Sequence, residues 1–220
     1  WYFQDKADGV DPTLNLDFIN NRYAVNGVEA PFADVFTFTR ASTATYFDAS
    51  GVMQTAAIDA PRFDYDPVTH APKGILIEES RANLFTYSSQ LDQAPWNTRA
   101  GSTTVASAVT APDGSATSYL VTRSSGDGYV WRTYTFAAST TYTLSFFVKG
   151  AGSAATFWLY WWDGTTGQNS GVIPINAGQA WTRVSFSFTT SASAGSGDIG
   201  FYIGGDPFYT WGVQTEQGAF

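Results

Sequence analysis

Two kinds of side chain in this sequence have the type and spacing to do chemistry: carboxylates and aromatic rings. Glycoside cleavage needs two carboxylates flanking the scissile bond. The candidates are Asp64 and Asp66, in Pro61-Arg62-Phe63-Asp64-Tyr65-Asp66-Pro67, and the pair Glu78-Glu79. Two residues apart on an extended segment, Asp64 and Asp66 share a face. The same positions suit turn chemistry ahead of Pro67, with Arg62 or Lys73 as charge partners, and Glu78 and Glu79 alternate across a strand end near Arg81. No acid-rich cleft recurs in the aromatic half of the chain, so the structural reading is preferred and no catalytic residue is assigned. His70 sits in the loop Thr69-His70-Ala71-Pro72 with no nucleophile elbow, which argues against a serine hydrolase. Calcium is the one metal with suitable ligands, from Asp, Asn and backbone oxygens, but no EF-hand-like run fixes which residues those are. No other cofactor is called for.

The aromatic residues point further. In Phe157-Trp158-Leu159-Tyr160-Trp161-Trp162 both faces of an alternating strand carry large side chains. If Phe157, Leu159 and Trp161 enter a core, then Trp158, Tyr160 and Trp162 line the opposite face. Reversing the register still leaves Phe157 and Trp161 outside. By the same alternation Tyr129 and Trp131 face outward while Val130, Tyr134 and Phe136 face in. Trp181 and Arg183 stay outside while Val184, Phe186 and Phe188 face in. A neighbouring strand behaves ordinarily, with Tyr142, Leu144, Phe146 and Val148 inward and Thr143, Ser145, Phe147 and Lys149 outward. Rings flanked by Arg, Lys, Asp and Asn suit a sugar, whose apolar C–H face stacks on the ring while its hydroxyls take the flanking hydrogen bonds. Trp158, Tyr160 and Trp162 are therefore candidate glycan contacts, with Trp131, Trp181 and Arg183 in support. Packing under a loop, against the N-terminal part of the chain or in an oligomer interface uses the same rings equally well. Alternation alone leaves these readings open.

Strands must position these side chains, because helical periodicity is nearly absent and apolar-polar alternation broken by Gly, Ser, Asn and Asp turns recurs throughout. The pattern predicts an all-β protein: a small N-terminal β module followed by a β-sandwich or jelly roll. Residues 1–12 read as a linker and 13–84 as the N-terminal module. There a strand pair runs from Leu14 to Val25 about Asn20-Asn21, and Asn26-Gly27 closes the second strand. Extended structure follows over Phe36–Phe47, and Asp48-Ala49-Ser50-Gly51 turns into Val52-Met53-Gln54-Thr55. Residues 85–220 carry seven of the eight tryptophans and predict strands at about 117–123, 129–136, 141–149, 155–162, 170–175, 181–190, 198–204 and 208–215. Eight short strands at this spacing suit two packed sheets.

Composition narrows the function classes. Aromatic residues make up 17% of the 220 residues and charged residues only 14%, so a large core is available and intrinsic disorder is excluded. With no cysteine and one histidine, disulfides, thiol catalysis and multi-histidine metal centres are excluded. A net charge of −8 argues against nucleic acid or an anionic membrane as partner, and no apolar run is long enough to insert into a bilayer as a helix. The chain begins at Trp1 rather than Met, which points to a piece of something longer.

Two stretches resemble known families. Phe36-Thr37-Phe38-Thr39-Arg40-Ala41-Ser42-Thr43-Ala44-Thr45, then the Pro61–Pro67 phrase, then Gly74-Ile75-Leu76-Ile77-Glu78-Glu79-Ser80-Arg81-Ala82-Asn83-Leu84 resemble a block common in bacteriophage tail- and head-fibre proteins. It covers about a fifth of the chain. Thr141–Lys149, Trp181-Thr182-Arg183 and the closing Trp211–Phe220 resemble carbohydrate-binding jelly rolls of the family 4/9/22 type, in which such motifs mark the fold more than sugar binding. The resemblance implies a non-catalytic virion surface protein, a fibre or spike outside the cell. It would adsorb the phage to bacterial surface polysaccharide, as a homotrimer alongside other virion proteins and with a possible structural calcium. Two alternatives stand beside it: a structural fibre or capsid-decoration module whose aromatic face seals against a neighbouring subunit, and a fragment of a polysaccharide depolymerase.

Overall fold

The computed structural model describes residues 13–78, 81–99, 101–126 and 128–219, so the expected linker over 1–12, together with Glu79 and Phe220, lies outside the described residues. The chain divides into two compact units, Trp1–Glu79 and Ser80–Phe220. Almost all regular structure is β, as the alternation requires.

The first unit is built from small antiparallel ribbons. Strands β1 (Leu14–Asp17), β2 (Arg22–Val25) and β3 (Val28–Glu29) form one sheet, with Leu14 opposite Val25 and Asp17 opposite Arg22. The turns are those expected at Asn20-Asn21 and Asn26-Gly27. Asn21 and Asn26 adopt φ of 56° and 51°, and the Asp17 carboxylate accepts the Ile19 and Asn20 amides. Strands β4 (Ala44–Phe47) and β5 (Met53–Ala56) pair across the Asp48 turn, and β6 (Phe63–Tyr65) pairs with β7 (Pro72–Ile75). Only the end of the expected Phe36–Phe47 extension is a strand. A one-turn helix, α1 (Phe32–Val35), precedes it and brings Phe32 and Phe36 against Tyr23, with Phe63 edge-on to Phe32 at 5.6 Å. This cluster of rings is a thin core: among the described residues of the unit, the buried hydrophobic side chains are Tyr23, Ala24 and Ala56.

The second unit is a β-sandwich. One sheet has the order β16 (Thr182–Thr189), β12 (Thr141–Gly150), β18 (Phe208–Gln217), β10 (Ser118–Arg123), β9 (Ser102–Ser107). The other runs β14 (Gly167–Asn169), β13 (Ala155–Trp162), β17 (Ser196–Ile203), β11 (Gly128–Thr135), β8 (Asn97–Thr98), with β15 (Ile173–Ile175) also on β13. Of the strand expected over 170–175 only β15 is strand, and β14 lies just before it. The break falls at Ser170, whose hydroxyl accepts the Leu159 amide in place of a backbone carbonyl. Inward-facing residues follow the alternation. Tyr142, Leu144, Phe146 and Val148 of β12 meet Phe157, Leu159 and Trp161 of β13 and Ile199, Phe201 and Ile203 of β17, all buried. Phe146 touches Phe201 and Phe157 at ring separations of 4.9 and 5.6 Å, and Trp161 stacks on Phe188 at 4.6 Å. Each such side chain contributes roughly 1.5–3 kcal/mol by leaving water.

The segment before β8 completes this core. Phe85, Leu91 and Trp96 are buried in it, and Asn83 accepts the amides of Thr215 and Phe85. The Leu84 amide donates to the Thr215 carbonyl, and the Arg81 guanidinium donates to the carbonyls of Gln217 and Ala219. Residues 81–84 therefore belong physically to the sandwich. Among the described residues no helix is long and apolar enough to cross a membrane.

Candidate functional site

The register of β11, β17 and β13 sets side chains in rungs across the outer face of the second sheet. Tyr129, Tyr202 and Trp158 are directly opposite one another in the first rung, and Trp131, Gly200 and Tyr160 in the next. Thr133, Asp198 and Trp162 form the third. Because paired residues point to the same face, alternation on three strands delivers one continuous surface.

The first rung is a stack of rings. Tyr129 lies parallel to Tyr202 at 4.3 Å and to Trp131 at 4.9 Å, while Tyr202 stacks on Trp158 at 5.4 Å. Tyr160 meets both Tyr129 and Tyr202 edge-on, at 5.5 and 5.3 Å. Each contact adds about 0.5–1.5 kcal/mol beyond burial, so the rings hold one another in place. In the second rung Gly200 sets no side chain between Trp131 and Tyr160. A Cβ there would collide with the Val130 carbonyl oxygen and approach the Trp131 Cα to 2.6 Å, so glycine is required for β11 to pair this closely.

The result is a depression of about 370 Å³ lined by Arg99, Tyr129, Trp131, Tyr160, Trp162, Asp198 and Tyr202. One Asp198 carboxylate oxygen accepts the Thr133 hydroxyl at 2.9 Å. Arg99 is placed by its amide, which donates to the Tyr129 carbonyl. Burial pushes the Tyr129 hydroxyl far above its ordinary pKa, and Asp198, Tyr202 and Tyr160 add to the shift. Tyr160 is raised for the same first reason, with Tyr202 and Asp198 next. Both phenols stay protonated across neutral pH. The wall therefore offers stacking faces, phenol donors, a carboxylate acceptor and a guanidinium donor, the set that grips a polyhydroxylated ring.

Of the residues expected from sequence, the structure brings together Trp158, Tyr160, Trp162 and Trp131. The register is the one with Phe157, Leu159 and Trp161 in the core, and Trp162 is 39% exposed. Trp181 and Arg183 are elsewhere, on the outer face of the first sheet. There the Arg183 guanidinium lies over the Phe147 ring at 5.6 Å and donates to Ser145 and Gln214. Trp181 donates its indole N–H to the Thr110 carbonyl, and Trp211 donates to the Thr117 hydroxyl. Phe147, expected outside, is only 4% exposed beneath these groups. Alternation tells in from out but not one sheet's outer face from the other's. Tyr202, Asp198 and Arg99 escape the sequence reading. The spacing Asp198-Ile199-Gly200-Phe201-Tyr202 carries the signal for the first two, since its intervening members Ile199 and Phe201 are apolar and buried.

The candidate carboxylates of the first unit are engaged in structure. Asp64 accepts the Phe47 amide, Asp66 accepts those of Val68 and Thr69, and both lie 3.9 Å from Lys73 Nζ. Glu78 pairs with buried Arg62 at 2.7 Å. Among the described residues no group of three or more His, Asp or Glu side chains is placed to hold a metal ion.

No protein-family model matches the chain, and no curated protein matches it. Solved structures do. The C-terminal family 22 carbohydrate-binding module of Clostridium thermocellum Xyn10B aligns with a TM-score of 0.50 and 17% identity over 61% of this chain and 94% of that one. TmCBM61, solved with β-1,4-galactotriose, gives 0.46 and 13% over 62% and 99%, and the enzymatically active domain of bacteriophage CBA120 tailspike protein 4 gives 0.45 and 14% over 61% and 21%. Identities this low speak to fold alone: the chain contains a β-sandwich of the carbohydrate-binding-module kind.

Proposed function

We propose that the second unit is a non-catalytic glycan-binding module that attaches the particle carrying it to a bacterial surface polysaccharide. The observation that carries this reading is the depression walled by Tyr129, Trp131, Tyr160, Trp162 and Tyr202 beside Asp198 and Arg99, with Trp158 extending the ring stack from Tyr202. The site is an open cleft without a pair of carboxylates across it, which suits holding a chain rather than cutting it. The fibre-like block of the first unit supports placing the module on a phage fibre or spike at the virion surface, as a homotrimer with other virion proteins.

A printed array of bacterial surface glycans tests the binding reading, and competition of the protein with phage adsorption to cells tests the biological setting. Binding that is lost when the cleft rings are removed supports the proposal. Burial of the same rings in an oligomer that binds no glycan supports the intersubunit seal instead. Loss of polymer viscosity dependent on Asp64, Asp66 or Glu78 supports a depolymerase.

A further inference from the structure

The Tyr129 side chain carries an unspent polar group. The residue is 6% exposed, its ring is clasped between Trp131 and Tyr202, and its hydroxyl is buried without a hydrogen-bond partner. Leaving a buried hydroxyl unsatisfied costs about 1–3 kcal/mol. Six buried side-chain polar atoms lack a partner among the described residues, and of the residues that carry them Tyr129 is the one that lines the cleft, together with Asp198. Trp131 and Tyr160, which touch the Tyr129 ring, are half-buried and lie on either side of Gly200 in one rung, where no side chain stands between them.

We propose that Tyr129 sets the selectivity of the cleft: the sugar unit that settles between Trp131 and Tyr160 must present a free hydroxyl, which accepts from the Tyr129 hydroxyl and donates to the Asp198 carboxylate. This rests on the glycan reading and names the ligand class. A phenol that stays protonated is a donor, and a carboxylate is an acceptor only. A sugar hydroxyl satisfies both at once. An ether or ester oxygen accepts but cannot donate to Asp198. The cleft therefore takes sugars unsubstituted at that position and rejects O-methylated and O-acetylated units there. A site built to bond a hydroxyl discriminates strongly against analogues lacking it, because its own buried group is then left unpaired.

The test uses the full chain and an array of neutral pentose and hexose oligomers, their deoxy, O-methylated and O-acetylated forms, and uronic acid oligomers. The wild type is expected to prefer an unsubstituted neutral oligomer over both its deoxy and its methylated form by about tenfold or more. In Tyr129→Phe the preference over the deoxy form shrinks by about threefold or more, because the donor is gone while stacking and the bond to Asp198 remain. The melting temperature of this variant stays level or rises, since deleting an unpaired hydroxyl removes a desolvation cost. Asp198→Ala loses the preference over the methylated form, which cannot donate to the carboxylate. If the wild type binds an oligomer on the array and Tyr129→Phe discriminates equally well, the selectivity proposal is wrong while the glycan reading stands. A drop in the melting temperature of Tyr129→Phe also overturns it, by showing that the hydroxyl is bonded within the protein. If the wild type binds nothing on the array, both fall together.

Discussion

Asp163 shows how much local order one side chain supplies. It follows β13 directly and is fully buried, yet accepts the amides of Thr165, Thr166 and Ser191 and the Thr165 hydroxyl, tying the turn after β13 to the chain that follows β16. Burial alone would raise its pKa, but these bonds outweigh desolvation and hold it well below the ordinary 3.8. A depressed folded-state pKa gives stability that is fully present above the unfolded value and drains away as pH falls below it. Asp163→Ala is expected to cost about 3 kcal/mol in urea unfolding at pH 7. The gap between variant and wild type should narrow steadily below pH 3.8, and a gap independent of pH would contradict the assignment. Trp162 is the opposite case. At 39% exposed it carries little of the core, so Trp162→Ala should change stability by less than about 1 kcal/mol while weakening glycan binding about tenfold.

At the scale of elements, β17 organises the site. Its alternation sends Ile199, Phe201 and Ile203 inward and sets Asp198, Gly200 and Tyr202 on the rungs between β11 and β13. Gly200→Ala should destabilise the sandwich by several kcal/mol, because the colliding atoms are backbone and cannot swing aside; thermal unfolding of the variant checks this. The first sheet supplies a contrast. Trp181→Ala should leave glycan binding within about twofold of wild type while lowering stability by about 1 kcal/mol through the lost indole bond to Thr110. Much of this is legible in the sequence. Period-two alternation locates the long strands of the sandwich, but both faces of Phe157–Trp162 carry large apolar rings, so packing decides that Phe157, Leu159 and Trp161 are the buried set. What alternation does not supply is lateral order. Which strand lies beside which is fixed by long-range pairing, so the pattern neither joins Tyr202 to Tyr129 and Trp158 nor separates Trp181 from rings on another sheet. The short β6 and β8 carry too few residues to show a period, and in β9 four small polar residues surround an adjacent Val105-Ala106 pair that breaks alternation. Phe36–Thr43 reads as extended without a partner strand.

The two units differ sharply in how much they bury. The sandwich holds a continuous core from Phe85 to Val213, while the first unit rests on a cluster of rings around Tyr23. A small domain with so little buried surface is marginal alone, whereas a sandwich of this size is not. Calorimetry should therefore show the sandwich melting as the more stable unit, and residues 80–220 expressed alone should keep the glycan affinity of the full chain. The imbalance of rings over charges resolves accordingly: rings build the sandwich core, wall the cleft on the outer face of its second sheet, cover the first sheet at Phe147, Trp181 and Trp211, and cluster around Tyr23 in the first unit. Calorimetric titration of a bacterial surface polysaccharide into the wild type, Trp131→Ala and Trp181→Ala tests that claim most directly. Saturable binding by the wild type is expected, with a loss of about tenfold or more in Trp131→Ala and wild-type affinity in Trp181→Ala. Equal affinity in the wild type and Trp131→Ala, with the loss falling on Trp181→Ala, would contradict the assignment of the cleft.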